Sequence, residues 1–264
     1  MDIVLDYNPD QFGSKPSPRQ MEAHACATRW TGYGGAEYGG KTLWLVQEAM
    51  RNLLEYPGIE LVMGRYDYND LVTPTQARDM FFAVCPKALI EGNPYLSPPS
   101  WVKLKNGSRI TFAGLKDYIP SSAFGGLFVD QAEEVPQDIL RTLSGRVRQK
   151  LNRIVLQPDG SSTKQLYNPH RRRCLTFNPH PNIEWFRKQC DKHPQSYTFI
   201  QALPQDNPIW TPEFNRERKE DYTEDQYRRL ILGQWDVFKG QALPEFDRNV
   251  HLVEPFDTWM TEKW

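Results

Sequence analysis

Gly35-Ala36-Glu37-Tyr38-Gly39-Gly40-Lys41-Thr42 decides the reading of this chain. A glycine, four residues, then Gly-Lys-Thr is the spacing that lets consecutive backbone N–H groups curl around a phosphate chain. The flanks agree with that use. Thr28 to Gly32 is expected to be a short strand running into the glycines. After them, TLWLVQEAMRNLLEY has apolar residues three and four apart, the period of a helix, and Pro57-Gly58 ends it. A helix that opens on such a turn presents its positive end to an anion. Lys41 is therefore expected to neutralise the β- and γ-phosphates and Thr42 to enter a Mg²⁺ shell. Gly35, Ala36, Glu37, Tyr38, Gly39 and Gly40 would form the cradle. ATP and Mg²⁺ are the implied ligands.

Working outward, Ser17-Pro18-Arg19-Gln20 starts a short helix expected to reach about Thr28, and residues 1–18 read as an extended arm. IELVMGR is a buried strand, and Tyr68 to Val84 a helix. WVKLKNGSRITFAGL has two alternating segments around Asn106-Gly107, the strongest hairpin signal here. FGGLFVD and CLTFNP are further strands, with a helix from about Pro136, a strand-like NRIVLQ and a polar loop between them. IEWFRKQCDKH is a helix, and two more are expected near Thr211 to Lys219 and Glu224 to Leu232. Strands alternating with helices predict an α/β fold, a mainly parallel sheet covered on both faces, with the hairpin as an insertion.

A second chemical signal follows the strand FGGLFVD. In Asp130-Gln131-Ala132-Glu133-Glu134, the acid at the strand end is placed to hold Mg²⁺ through its waters. In ATPases of the motor branch the next residue is a glutamate that deprotonates the attacking water. Here it is Gln131, which can orient a water but cannot take its proton. Three readings stand. Gln131 is a deliberate replacement that traps ATP, or the role has moved to Glu133 or Glu134, with Glu134 preferred, or the domain binds ATP and turns it over poorly.

Bulk properties bound the rest. The chain has 264 residues, net charge −1, and a mean hydropathy of −0.66. No run approaches the roughly 20 apolar residues of a membrane span, and no secretion signal opens the chain, so no membrane partner is expected. Cys26, Cys85, Cys174 and Cys190 are widely spaced and read as free thiols. His170-Arg171-Arg172-Arg173 is the densest basic patch, a candidate for DNA phosphates or a solvated loop edge.

The order of these motifs resembles the N-terminal ATPase domain of bacteriophage large terminases over nearly the whole chain. That resemblance implies a P-loop NTPase fold of the ASCE type. Gln20 resembles the family's adenine-contacting glutamine. LVMGRYDYNDL resembles the strand-then-arginine element, which puts Arg65 beside the nucleotide. LTFNP, with Thr176 and Asn178, resembles the coupling motif that senses the γ-phosphate. Asp206-Asn207-Pro208, Tyr227-Arg228-Arg229, Gly233-Gln234-Trp235 and Pro244-Glu245-Phe246 resemble the stretch that precedes a nuclease domain.

By resemblance, residues 19–240 are the ATPase domain and 241–264 a tail toward a nuclease, whose activity is not expected of this stretch. The implied work is packaging of double-stranded DNA into a capsid in the host cytoplasm. The implied partners are the viral portal, a small terminase subunit and a homo-oligomeric ring. A transition-state arginine is expected in cis or from a neighbouring subunit, with Arg146 and Arg148 as first candidates and Arg109 as another. A helicase-like motor, a P-loop kinase and a nucleotide-gated binding module are the rival readings.

Overall fold

The computed structural model describes residues 15–235, apart from 75, 96, 119–120 and 158–160. The proposed tail and its Pro244-Glu245-Phe246 motif lie outside the described residues, as does most of the expected N-terminal arm.

Helix α1 (Pro18–Ala25) begins at a full capping box. The Ser17 hydroxyl accepts from the Gln20 backbone N–H, and the Gln20 side chain accepts from the Ser17 N–H. The helix stops three residues short of the expected Thr28. Strand β1 (Trp30–Gly35) and helix α2 (Lys41–Glu55) then flank the phosphate-loop octet as the sequence requires. Strand β2 (Glu60–Arg65) follows. The single helix expected over Tyr68 to Val84 is two, α3 (Tyr68–Val72) and α4 (Ala77–Val84). Pro74 explains the break: it disfavours helical backbone at Thr73, which turns extended.

The expected hairpin forms as β3 (Ser100–Lys103) and β4 (Arg109–Gly114), paired antiparallel with Trp101 opposite Thr111. It is built into the sheet, because β4 pairs in parallel with β2. Strand β5 (Gly126–Val129) and helix α5 (Gln137–Arg146) come next. A second, separate ribbon then appears, β6 (Leu151–Leu156) against β7 (Ser162–Tyr167), where the sequence reading had one strand and a polar loop. The pattern is hidden because β7, STKQLY, is exposed over Ser162 to Leu166 and reaches the core only at Tyr167.

The chain closes with β8 (Arg173–Phe177), α6 (Glu184–Lys192), β9 (Tyr197–Ala202), α7 (Pro212–Asp221) and α8 (Glu224–Leu230). The sequence reading missed β9, whose YTFIQA lies between two stronger helical signals. The central sheet runs β3-β4-β2-β5-β8-β1-β9, parallel except for β3.

Two apolar layers sandwich this sheet. On one side α2 and α4 pack Trp44, Leu45, Met50 and Phe81 onto Tyr33, Met63 and Phe112. On the other, α5 and α6 bring Leu140, Leu143 and Phe186 against Val129, Leu175 and Phe177. Each such side chain contributes about 1.5–3 kcal/mol by leaving water. The packing also dictates glycine at two strand positions. A methyl at Gly34 would stand 2.5 Å from the Phe177 ring, and one at Gly64 would stand 2.3 Å from Leu115. What this layout provides is an edge where the carboxyl ends of β1, β8 and β5 converge, the usual ligand side of a parallel sheet.

Candidate nucleotide site

The phosphate-loop octet bends off β1 with Gly35 at φ 135° and Gly40 at φ 70°, backbone that side chains resist. Tyr38, also at positive φ (62°), is held where Asn207 donates to its carbonyl at 2.7 Å and Phe214 stacks on its ring at 4.4 Å. The loop is fastened from outside too. The Glu37 N–H donates to the Leu230 carbonyl at 2.6 Å, and the Ala36 N–H to Ala202 at 2.8 Å. The weak late motifs thus have a physical role: the helices α7 and α8 and the following turn brace the loop, and Gln201 reaches Gly233 at 3.2 Å.

Within the loop, the Glu37 carboxylate accepts from the Tyr222 hydroxyl at 2.9 Å. Gln20 is engaged at both ends of its amide, capping α1 and donating to the Gly40 carbonyl at 2.8 Å. Gly35 and Ala36 begin the turn, and Gly39 fits because a methyl there would stand 2.9 Å from Ala202.

Around the loop lies a cleft of about 640 Å³, lined by Gln20, Gly39, Lys41, Thr42, Asp130 and Asn178, with Asn207 and Ile209 along one wall. That volume falls in the range of small-ligand sites, about 300–1,000 Å³. At its floor, Lys41 Nζ donates to the Ala36 carbonyl and, at 2.8 Å, to Asn178 Oδ1. Burial pushes the Lys41 amine below its ordinary range, against the opposing carboxylates of Glu133, Asp130 and Glu37. Asp130 Oδ1 accepts from the Thr42 hydroxyl at 3.1 Å and from the Thr176 hydroxyl at 2.5 Å. A hydroxyl and a strand-end carboxylate facing the same cleft are hard oxygen donors, the set that Mg²⁺ prefers.

The acidic run divides sharply. Gln131 adopts left-handed backbone, φ 49° and ψ 57°, which turns its side chain to accept from Arg65. Glu134 is taken by the same guanidinium in two contacts, Nε at 2.9 Å and Nη2 at 2.8 Å. Arg65, expected beside the nucleotide, is thereby committed to Gln131 and Glu134. Glu133 instead points inward. Its Oε1 accepts from the Asn178 backbone at 3.0 Å and from the Asn178 side chain at 2.9 Å, while buried Oε2 has no hydrogen-bond partner among the described residues. Burial pushes the Glu133 carboxyl up to about 7, against the pull of the Asn178 N–H and the Lys41 charge. Sequence reasoning ranked Glu134 above Glu133. The only hint in its favour was spacing, since a short 3₁₀ turn over Ala132–Glu134 rotates alternate acids to opposite sides.

Arg146 and Arg148 stand elsewhere. The Phe124 N–H donates to the Arg146 carbonyl at 3.0 Å, and the Arg148 N–H donates to Phe124 at 3.0 Å. Phe124 precedes β5, so both arginines flank the end opposite Asp130, about 20 Å away at strand rise. Within one chain they do not reach the cleft. Arg109 pairs with Glu60 at 2.7 Å, also at the amino end of its strand. Nor is the His170-to-Arg173 patch an exposed one. Arg172 is 1% exposed and lies 2.9 Å from buried Glu48. Arg173 is buried and donates to Ser144 and to the Arg171 carbonyl.

No protein-family model matches the chain, and none of the curated proteins does. Solved structures do share its fold. The large terminase from the thermophilic bacteriophage D6E, in complex with ATP-γ-S, gives a TM-score of 0.61 at 16% identity, over 92% of this chain and 59% of that one. The ATPase domain of the Thermus phage P74-26 large terminase gives 0.53 at 14%, over 86% and 96%. The HK97 bacteriophage large terminase gives 0.56 at 12%, over 84% and 51%. The chain therefore spans somewhat over half of the D6E terminase, and nearly all of the isolated P74-26 domain. At these identities the likeness is one of fold: the P-loop α/β sheet of terminase ATPase domains.

Proposed function

We propose that this chain is the ATP-hydrolysing module of a viral DNA-packaging motor, coupling nucleotide turnover to movement of double-stranded DNA. The observation that carries the reading is the chain of contacts from Lys41 and Asn178, which line the phosphate-loop cleft together with Gln131, to Glu133 buried behind them. Lys41 and the loop N–H groups bind the triphosphate, with Gln20 beside the base. Thr42 and Asp130 hold Mg²⁺, which supplies charge neutralisation on the phosphates when bound.

Glu133, not Gln131 or Glu134, takes the proton of the attacking water, because its Oε2 is buried without a partner among the described residues while Arg65 occupies the other two. Asn178 couples the parts. It accepts from Lys41 and donates to Glu133, so drawing Lys41 onto a γ-phosphate frees Asn178 to reorient and release Glu133. The motor assignment draws on the fold shared with the terminase ATPase domains. The ring, the portal, the small subunit and a transition-state arginine from a neighbouring copy, Arg146 or Arg148 included, belong to the same proposal.

Lys41→Ala tests the nucleotide site. ATP affinity and Mg²⁺-dependent hydrolysis should fall together, hydrolysis by about 100-fold or more, as for loss of one preorganised charge donor. Unchanged binding in Lys41→Ala would remove the basis of the reading.

A further inference from the structure

From Ile139 to Ile183 the sequence carries nine Lys and Arg residues and a single acid, Asp159, in a chain whose net charge is −1. The fold gathers these bases at one place. Arg141 and Arg146 lie on α5, and Arg148 and Lys150 lead out of it. Arg153 is on β6, Lys164 on β7, and Arg171 on the way back into β8. Among the described residues the ribbon pairs in strand fashion only with itself, Arg153 opposite Gln165 and Ile154 opposite Lys164, so Arg153 and Lys164 project from its two faces. Arg148, Lys150, Arg153 and Lys164 are all exposed.

Pairing separates this surface from the rest. Elsewhere some exposed bases meet carboxylates, as Arg19 meets Glu22, Lys103 meets Glu91 and Lys188 meets Glu184, while ones unpaired among the described residues, such as Lys87 and Lys192, stand close to acids in sequence, at Glu91 and Asp191. Along the ribbon the partners are neutral. Arg153 donates to Gln165 Oε1 at 2.8 Å, and Arg171 donates to Asn168 Oδ1 at 2.7 Å. Among the described residues no carboxylate pairs with Arg141, Arg146, Arg148, Lys150, Arg153, Lys164 or Arg171. Like charges left unopposed repel one another and cost stability unless a polyanion neutralises them. The ribbon is anchored to the core only at its root, through Leu151 and Tyr167, and a two-stranded ribbon is otherwise marginal alone.

We infer that the β6–β7 ribbon, with Lys150 and Arg171 at its root, is a docking surface for the phosphate backbone of duplex DNA, an inference that rests on the DNA-motor reading above. Charge complementarity identifies the occupant: cations without anions suit a partner that carries a phosphate along its length. The contact reads no base sequence, since phosphates position and bases specify. The surface lies at the amino end of β8, and the opposite end of that strand leads into Asn178 in the nucleotide cleft. One strand thus joins the DNA surface to the residue that reports nucleotide.

The test measures binding of a mixed-sequence DNA duplex to the full chain and to Lys150→Glu/Arg153→Glu/Lys164→Glu over a salt series, with DNA-free ATP hydrolysis and thermal unfolding alongside. Expected is at least tenfold weaker binding in the triple variant, and a log–log salt slope smaller by about 2 to 3. Hydrolysis and unfolding temperature should stay as they were. The corresponding Lys150→Arg/Lys164→Arg variant should keep both affinity and slope. If the unaltered chain binds duplex and the reversal leaves affinity within twofold, the ribbon is not the surface, while the motor reading stands. If the reversal changes self-association and not DNA binding, the ribbon is a protein contact and the inference fails. If the unaltered chain hydrolyses ATP and binds no duplex, both fail together.

Discussion

The two edges of the central sheet treat charge in opposite ways. At the carboxyl edge charges face others of opposite sign: Lys41 lies among the carboxylates of Glu133, Asp130 and Glu37, and Glu134 pairs with Arg65. At the amino edge the arginines and lysines of the ribbon have none of opposite sign among the described residues. The triplet Arg171-Arg172-Arg173 shows both regimes in three consecutive residues. Arg171 stays at the surface and bonds a neutral amide, Arg172 is locked under the sheet against Glu48, and Arg173 stacks on Trp30 at 5.7 Å. A preorganised site holds its charges in fixed pairs until ligand displaces them. A surface for a mobile polymer leaves its charges unsatisfied, so that affinity and sliding both come from exchange with salt.

The largest effect on stability should come from breaking the inner pair. Burial pushes the Glu48 carboxyl up, but His24, Arg172 and Arg51 together hold it below its ordinary range. Arg172→Ala leaves that carboxylate buried with less compensation and should cost about 3–5 kcal/mol in chemical denaturation. Reversal of exposed Lys164 should cost almost nothing. Equal losses would erase the distinction between the two regimes.

The next effect is in pH. Because Glu133 is raised to about 7, the folded chain keeps a proton that the unfolded chain releases at ordinary glutamate pH. Stability is therefore fully present below the ordinary glutamate range and falls as pH rises from there through about 7. Hydrolysis runs the other way, losing about tenfold per unit as pH drops below 7 if Glu133 must be ionised. A pH–rate profile flat from 5 to 8 would remove Glu133 as the base. Smallest is the cap. Ser17→Ala should cost about 1 kcal/mol of stability and also raise the KM for ATP, because the Gln20 amide that caps α1 also holds the Gly40 carbonyl. A change in stability alone would detach α1 from the site.

Much of this was legible in the sequence because it is local. The phosphate loop, its flanking strand and helix, and the hairpin at Asn106-Gly107 each follow from turn chemistry and period. What escaped was set by distant partners. Strand β9 lies between stronger helical signals, and its pairing with β1 is invisible to any window of sequence. Strand β7 touches the core only at Tyr167 and so shows no alternation. The choice among Gln131, Glu133 and Glu134 turns on the left-handed backbone at Gln131 and on Arg65, which lies far away in the chain. Likewise nothing in His170-Arg171-Arg172-Arg173 says that Glu48, from α2, waits beneath the second arginine.

The most direct test is single-turnover hydrolysis of ATP with Mg²⁺ by the unaltered chain, Glu133→Gln and Gln131→Glu, each with its ATP affinity measured. The account predicts that all three bind ATP, that the unaltered chain hydrolyses it, and that Glu133→Gln is slower by about 100- to 10,000-fold. It further predicts that Gln131→Glu gains little, its side chain being held by Arg65. Turnover that survives Glu133→Gln, or appears only in Gln131→Glu, would contradict it.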